Sequence, residues 1–431
     1  MELNELYSIV RNSAGIATDS RTVRDGQVFF ALKGPAHDGN THAEAAVRAG
    51  ATAAVVDDPA LKGEKYIMVD DVLVTLSLLA MRHRRGLTVP VIAITGSNGK
   101  TTTKELITAV LSRKKKVHST TGNLNNHIGV PLTLLSSPHD MGFMVVEMGA
   151  NHKGEIAGLC QIAMPTHGII TNIGRAHIEG FGSFEEVKAA KSELYQWLSM
   201  SGGTAIYNDQ NSLLKELVSK TVQNSVPYSR PAGSKLKIEI AETESMFLAV
   251  KAIYEKHDYI FTTNLFGSYN IDNVRAAIAT GICFGVPVSE ITAAIISYNP
   301  VNNRSQVVDT GRNVLVCDSY NANPSSMELA VSSFAALKAD RKMMILGDML
   351  ELGSESQSGH AAVIDQLRNL VDVDVILIGP RFREVAGDIR ARLFGSSDEL
   401  HGWLLSNPPE GYTILVKGSR GMALEKIYPL L

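Results

Sequence analysis

Residues 94–107 read ITGSNGKTTTKELI and grow out of the apolar run VIAI at 91–94. An apolar run, a glycine-bracketed polar turn and a helical pattern follow one another without a break. That order predicts a buried strand, a tight loop and a helix N-terminus, with Leu106, Ile107, Val110 and Leu111 on one helical face. Such a junction is an anion site, because unpaired backbone N–H groups and the helix dipole point at one place. Gly96 and Gly99 let the backbone approach a phosphate chain closely. Lys100 is placed for the terminal phosphates, and Thr101 offers a hydroxyl to Mg²⁺. Ser97, Asn98 and Thr102 belong to the same nucleotide-binding loop and helix start. The common phosphate loop has four residues between its glycines and this one has two. A strand-to-helix turn with an incidental lysine is the alternative.

Working outward, the alternation of strands and helices continues on both sides. Residues 1–84 carry VFFAL, AAVVD and YIMV with helix-like THAEAAVRAG between them, which predicts a small α/β domain. A basic stretch ending at Pro90, MRHRRGLTVP, reads as a linker. From 85 to 299, VIAITG, FMVVEMG, HGIITNIG and GTAIYND read as strands of a mostly parallel sheet covered on both faces. Residues 236–266 differ: KLKIEI, FLAVKAIY and YIFTTNLFG read as successive strands of an antiparallel patch. From 300 to 431 the pattern restarts with NVLVCDSY, KMMILGD, VDVILIG and YTILVKG, a third, open-sheet α/β unit.

Composition narrows the function. A chain of 431 residues exceeds what one core supports, so two or three domains are expected. Its 41 basic and 44 acidic residues leave a net charge of −3, which argues against nucleic acid as a main partner. Cys160, Cys283 and Cys317 lie far apart and read as free thiols in a reducing compartment. The N-terminus MELNELYSIV lacks the pattern of a signal peptide, and no apolar run reaches the ~18 residues of a membrane span. A cytoplasmic protein is expected.

An ATP site needs a metal anchor. The apolar run FMVVE ends in Glu147, and a carboxylate at the C-terminal end of a parallel strand points into the ligand crevice. A strand-end acid near solvent is the competing reading. TNIGRAHIEGFGS then places Asn172 and His177 after another strand, where His177 is a candidate ligand of a second cation or a solvated loop histidine. In VKAAKSELYQW, Lys191 lies on a helix, where a surface lysine is the ordinary expectation.

Together these pieces resemble the Mur ligase family, the ATP-dependent amino-acid-adding enzymes of peptidoglycan synthesis. The resemblance rests on the shortened loop TGSNGKTTT, Glu147 closing the next strand, His177 and Lys191, and it covers nearly the whole chain. TDSRTV and GQVFFALKGPAHDGNTHAEAAVRAGA are similar to the family's uridine-diphosphate segment, which implies contacts from Ser20 and Arg21. GSYNIDNVRAAIATGICFG is similar to the stretch that meets adenine, which implies Asn270 and Asn273. NRSQVV, DSYNANPSSM, ILGDMLELG and VKGSRGM match in the third domain. They imply that Arg304 and Asp318 close over the nucleotide, and that Tyr320, Asn321, Asn323, Lys417 and Arg420 shape the amine pocket.

The resemblance therefore implies three domains: a uridine-nucleotide domain (1–84), a central P-loop-type sheet (85–299) and a C-terminal Rossmann-like sheet (300–431). YNANPSSM, GDMLELG and NLNNHIGVPLTLL are similar to the members that join D-alanyl-D-alanine to UDP-N-acetylmuramoyl-tripeptide through an acyl phosphate, working as monomers. Two Mg²⁺ ions are implied, one on Thr101 and Glu147, one on His177 and a carbamylated Lys191. Hinges are expected near 84–90 and 298–304. A sibling ligase adding a single amino acid, a folylpolyglutamate-type ligase and a non-catalytic ATP-binding switch stay open. So do plainer roles for single residues: a helix cap for Asn270 or Asn273, a surface ion pair for Arg304, and turns for Ser20, Arg21, Asn321, Asn323, Lys417 and Arg420.

Overall fold

Val91–Thr95 is buried along its whole length, which suits a central strand of a parallel sheet covered on both faces. The computed structural model, which describes residues 2–175 and 178–431, puts it there. The middle sheet has six parallel strands in the spatial order Asn224–Pro227, Thr204–Tyr207, His167–Ile170, Val91–Thr95, Phe143–Glu147, Val117–Ser119. Val91–Thr95 is first of the six in the chain yet has neighbours on both sides. The crevice beyond its C-terminal end is therefore a topological switch point, where open α/β sheets bind ligands. The register sets Ile94 beside Glu147 and Thr95 beside Ile170, so the loop from Gly96 leaves the sheet between those two strand ends.

Helix Lys100–Leu111 starts at Gly99, whose φ of 78° suits glycine, and it buries Leu106, Ile107, Val110 and Leu111 as its periodicity predicts. Leu236–Ile240, Phe247–Tyr254 and His257–Phe266 form the expected antiparallel patch. Below residue 90, Ile16–Ala17, Val28–Phe30, Ala53–Val56 and Tyr66–Met68 make a four-stranded parallel sheet. Beyond 300, five parallel strands carry one antiparallel edge strand, Gln306–Asp309.

The first sheet does not keep its core to itself. Helix Val72–Arg85 buries Val72, Leu76, Leu79 and Ala80 in one apolar cluster that runs from Leu6 and Val28 to Val146, Leu159 and Leu194 of the middle sheet. At its end, Arg84 is 6% exposed and donates to the carbonyls of Ala163 (2.8 Å), Leu87 (2.8 Å) and Met164 (2.9 Å). His83 is held between the Tyr7 hydroxyl (2.8 Å) and Ser137 Oγ (2.9 Å). The segment expected to hinge near 84–90 is thus clamped at its start, because the guanidinium has no water-side alternative for its donors. The other expected hinge looks different: Asn302, Asn303 and Ser305 all have positive φ (63°, 56° and 49°) and flank Arg304. Among the described residues no helix is long and apolar enough to cross a membrane.

Candidate active site

The switch point opens into a cavity of about 1100 Å³ bounded by the middle and third sheets, with Ser77 and Met81 of helix Val72–Arg85 on its far side. Its floor is the glycine loop. Gly96 has φ 144°, and a Cβ there would run into the Thr171 hydroxyl, so the loop closes on its neighbour only with glycine. At Gly99 a Cβ would run into Asn273 Oδ1. The loop is held from the side: Asn98 N donates to Asn172 Oδ1 (3.0 Å), and Gly174 N donates to Ser97 Oγ (2.9 Å). Ser97, Asn98, Gly99, Lys100, Thr101 and Thr102 all line the cavity, whereas Gly96 does not. Lys100 Nζ donates to the carbonyls of Gly96 (2.7 Å) and Ser97 (3.1 Å). Burial pulls its pKa down to about 8; the Glu147 carboxylate opposes that and Arg304 adds to it.

Glu147 is 1% exposed and lines the same cavity. Its Oε1 accepts from Asn125 Nδ2 at 2.8 Å, while its Oε2 is buried with no hydrogen-bond partner among the described residues. A buried carboxylate oxygen without a partner is costly, and a cation satisfies it best. Buried Thr101, in the first turn of helix Lys100–Leu111, adds a hydroxyl. Among the described residues no three His, Cys, Asp or Glu side chains gather as a metal cage. One carboxylate and one hydroxyl suit Mg²⁺, which takes its remaining ligands from phosphate and water.

Lys191 is not the surface lysine of the ordinary expectation. Helix Phe184–Ser201 buries Val187, Ala190, Leu194, Tyr195 and Leu198 on one face, and Lys191 shares that face at 2% exposure. Its Nζ lies 3.4 Å from the carbonyl of Ala150, a cavity-lining residue, and 5.4 Å over the Phe181 ring. Burial first, then the like charge of Lys100, push its pKa down to about 7. His177 lies outside the described residues.

On the opposite wall, the sheet register pairs Asp318 with Lys417, and Lys417 Nζ meets Asp318 Oδ2 at 2.6 Å. Asp318 Oδ1 also accepts from Ser305 N (3.0 Å), tying the positive-φ segment to the third sheet. Arg304 stacks 3.6 Å over the Tyr320 ring. Asn323 caps helix Pro324–Ala335 through Ser326 N (2.9 Å) and donates to Asn98 Oδ1 of the glycine loop (2.8 Å). Asn321 accepts from its neighbour Ala322 N. Asn270 donates to Phe266 O (2.8 Å) and Ser305 Oγ (3.1 Å); Asn273 donates to Asn270 and accepts from Thr103. All eight of these expected residues, Asn270, Asn273, Arg304, Asp318, Tyr320, Asn321, Asn323 and Lys417, line the cavity.

Three do not. Arg420 pairs with Glu425 at 3.3 Å and reaches the Tyr320 ring only at 5.9 Å. Ser20 and Arg21 form a short turn on the first sheet, where Arg21 is exposed and paired with Asp19 at 2.7 Å. That turn follows strand Ile16–Ala17 at its C-terminal end, on the rim that also carries Lys33, Asn40 and Asp57, linked at 2.9 Å (Lys33–Asp57) and 2.7 Å (Asn40–Asp57). The sequence reading missed Asn125, although NLNN was in view: its link to Glu147 crosses between segments, and no local pattern announces it.

Family models match three consecutive parts of the chain: "Mur ligase family, catalytic domain" over 12–89, "Mur ligase middle domain" over 94–281, and "Mur ligase, glutamate ligase domain" over 303–420. The chain is 34% identical to the UDP-N-acetylmuramoyl-tripeptide–D-alanyl-D-alanine ligase of Bacillus subtilis (strain 168), over 96% of this chain and 92% of that one. Among solved structures it resembles MurF from Acinetobacter baumannii, with a TM-score of 0.84 and 30% identity, covering 96% of this chain and 92% of that one. It also resembles the MurF ligase of Thermotoga maritima in complex with ADP, with a TM-score of 0.84 and 25% identity over 98% and 97% of the two chains.

Proposed function

We propose, for a chain that belongs to the Mur ligase family, that it joins D-alanyl-D-alanine to UDP-N-acetylmuramoyl-tripeptide at the cost of ATP, releasing ADP and phosphate. One observation carries the reading beyond family membership. A single cavity is faced by the glycine loop, by a buried carboxylate with a free oxygen, and by the charged wall of the third sheet.

The chemistry explains the arrangement. A carboxylate and an amine do not condense in water unaided. The terminal carboxylate of the tripeptide attacks the γ-phosphorus and the bond to ADP breaks. The amine of the dipeptide then attacks the acyl carbon, inorganic phosphate leaves, and the amine loses a proton. The first step brings anions together. Two unit charges ~4 Å apart repel by about 4 kcal/mol at an effective dielectric of 20. Lys100 meets that repulsion at the terminal phosphates, and its cavity-facing position supports the role. Glu147 Oε2 and the Thr101 hydroxyl would hold one Mg²⁺, which when bound would supply positive charge against the phosphate chain.

Lys191 supports a second anionic ligand. With its pKa near 7, a large share of the amine is neutral at cellular pH and free to take up CO₂, which forms an N–C bond, releases one proton and leaves a carbamate. That carbamate and His177 would hold the second ion. Asn270 and Asn273 brace the loop beneath the adenine end. Arg304 and Asp318 close from the third sheet, and Tyr320, Asn321, Asn323 and Lys417 shape the amine pocket, with Arg420 behind Tyr320. Ser20 and Arg21 stand on the rim that receives the uridine nucleotide. We assign the enzyme to the cytoplasm, working as a monomer.

The test is phosphate release with UDP-N-acetylmuramoyl-tripeptide and ATP while the amine is varied. Release with D-alanyl-D-alanine and not with single amino acids is expected. Release with a single amino acid and none with the dipeptide identifies a sibling ligase. Nucleotide binding without any amine-dependent release leaves only a switch.

A further inference from the structure

We propose that Asn125 is the positioning residue that decides which oxygen of Glu147 faces the metal. The inference rests on the nucleotide-and-metal reading of the cavity and adds a residue to it. Asn125 Nδ2 donates to Glu147 Oε1 at 2.8 Å, and an amide nitrogen beside a carboxylate can only donate. Oε2 is left buried and, among the described residues, without a partner.

The asparagine is itself fixed at both ends. Its carbonyl accepts from Gly149 N at 2.8 Å, and its own N–H donates to Asn123 O at 2.7 Å. A Cβ on Gly149 would come within 2.9 Å of Asn125 Oδ1, so the amide packs directly on the chain that leaves Glu147. The same loop grips the strand end a second time, through Glu147 N donating to Thr120 Oγ1 at 3.0 Å. Thr120 O in turn accepts from buried Lys104 Nζ at 2.8 Å, one helical turn beyond Lys100. Carboxylate, loop and phosphate-binding helix are therefore one hydrogen-bonded unit, with Asn125 as the only member of that chain touching the carboxylate oxygens. A ligand carboxylate free to rotate would have to lose that freedom on each metal-binding event; held by Asn125, it presents Oε2 in advance.

The experiment compares wild type with Asn125→Ala and Asn125→Leu, the second keeping the side chain's branched shape while removing its donor. Mn²⁺ binding to the full chain with ADP is read by electron paramagnetic resonance, alongside ADP affinity in EDTA and thermal melting. Both variants should bind Mn²⁺ about 10- to 100-fold more weakly, the usual cost of losing a partner of a metal ligand. Metal-free ADP affinity and melting should stay as in wild type. Wild-type Mn²⁺ affinity in either folded variant overturns the proposal. So does a parallel loss of metal-free ADP affinity and melting temperature in both, which marks a general structural role. Wild type that binds ADP but no Mn²⁺ refutes the metal reading of the cavity, a result distinct from equal binding by wild type and variants.

Discussion

Lys191→Met removes an amine from an apolar site while keeping a long unbranched side chain. The wild-type ammonium has the Ala150 carbonyl at 3.4 Å and the Phe181 ring at 5.4 Å for company. Burial, helped by Lys100 and opposed by Glu155 and Glu193, lowers its pKa from 10.5 to about 7. Between those two pH values the unfolded chain holds a proton that the folded chain has released, so wild-type stability rises with pH across the window. Below about pH 7 both states carry the proton and the folded state bears the whole penalty. At about 1.4 kcal/mol per pH unit that is about 5 kcal/mol, falling to about 2 kcal/mol at pH 9 and vanishing near 10.5. Methionine carries no such penalty. The variant should therefore melt above wild type by roughly 10 °C at pH 6.5, at about 2–4 °C per kcal/mol for a unit of this size. The gap should close by pH 10. Melting curves are taken in CO₂-free buffer, because carbamylation would replace the titrating amine. A gap that stays constant from pH 6 to 10 would falsify the assignment of a suppressed, buried lysine.

Lys100→Ala should abolish ATP-dependent phosphate release while the melting curve stays that of wild type; turnover at the wild-type rate refutes the role of the loop lysine. Gly96→Ala forces a Cβ against Thr171 at a φ of 144°, a strain of about 1–3 kcal/mol, and should weaken ADP binding measured by calorimetry. Unchanged ADP affinity would mean that the loop does not hold the phosphates. Lys417→Met strips partly buried Asp318 of its cation and leaves it the Ser305 N–H, and should cost about 3 kcal/mol of stability, most of it restored by adding Asp318→Asn. A single variant as stable as wild type contradicts that account of the pair.

What was legible in the sequence was what local periodicity carries. The strand, glycine loop and helix from Val91 to Leu111 announce themselves, because burial, positive φ and helical spacing each select residue types within a few positions. Lys191 was half legible: Val187, Ala190, Leu194 and Leu198 define an apolar stripe that contains it, and only the habit of placing lysines outside hides it. Contacts set by strand register or by loops crossing between segments left no such trace. Glu147 reaches the glycine loop because it pairs with Ile94, and Asp318 meets Lys417 because their strands are neighbours, although nearly a hundred residues of chain separate them. The Asn125–Glu147 bond and the Arg84 clamp have the same origin. Short edge strands such as Gln306–Asp309 and Arg392–Phe394 also escaped, since three or four residues are too few to show a period.

The apolar cluster shared by the first two sheets, locked by Arg84, makes the distance between them a constant of the molecule. On the proposed reading, with the uridine end on one and the triphosphate on the other, the enzyme would work as a gauge. An acceptor one residue short would fall about 3.5 Å short of the attacking position, the span of one extended residue. Bond formation needs reacting atoms about that close to begin with. Stem length would then be judged by reach alone, before any side chain of the peptide is inspected.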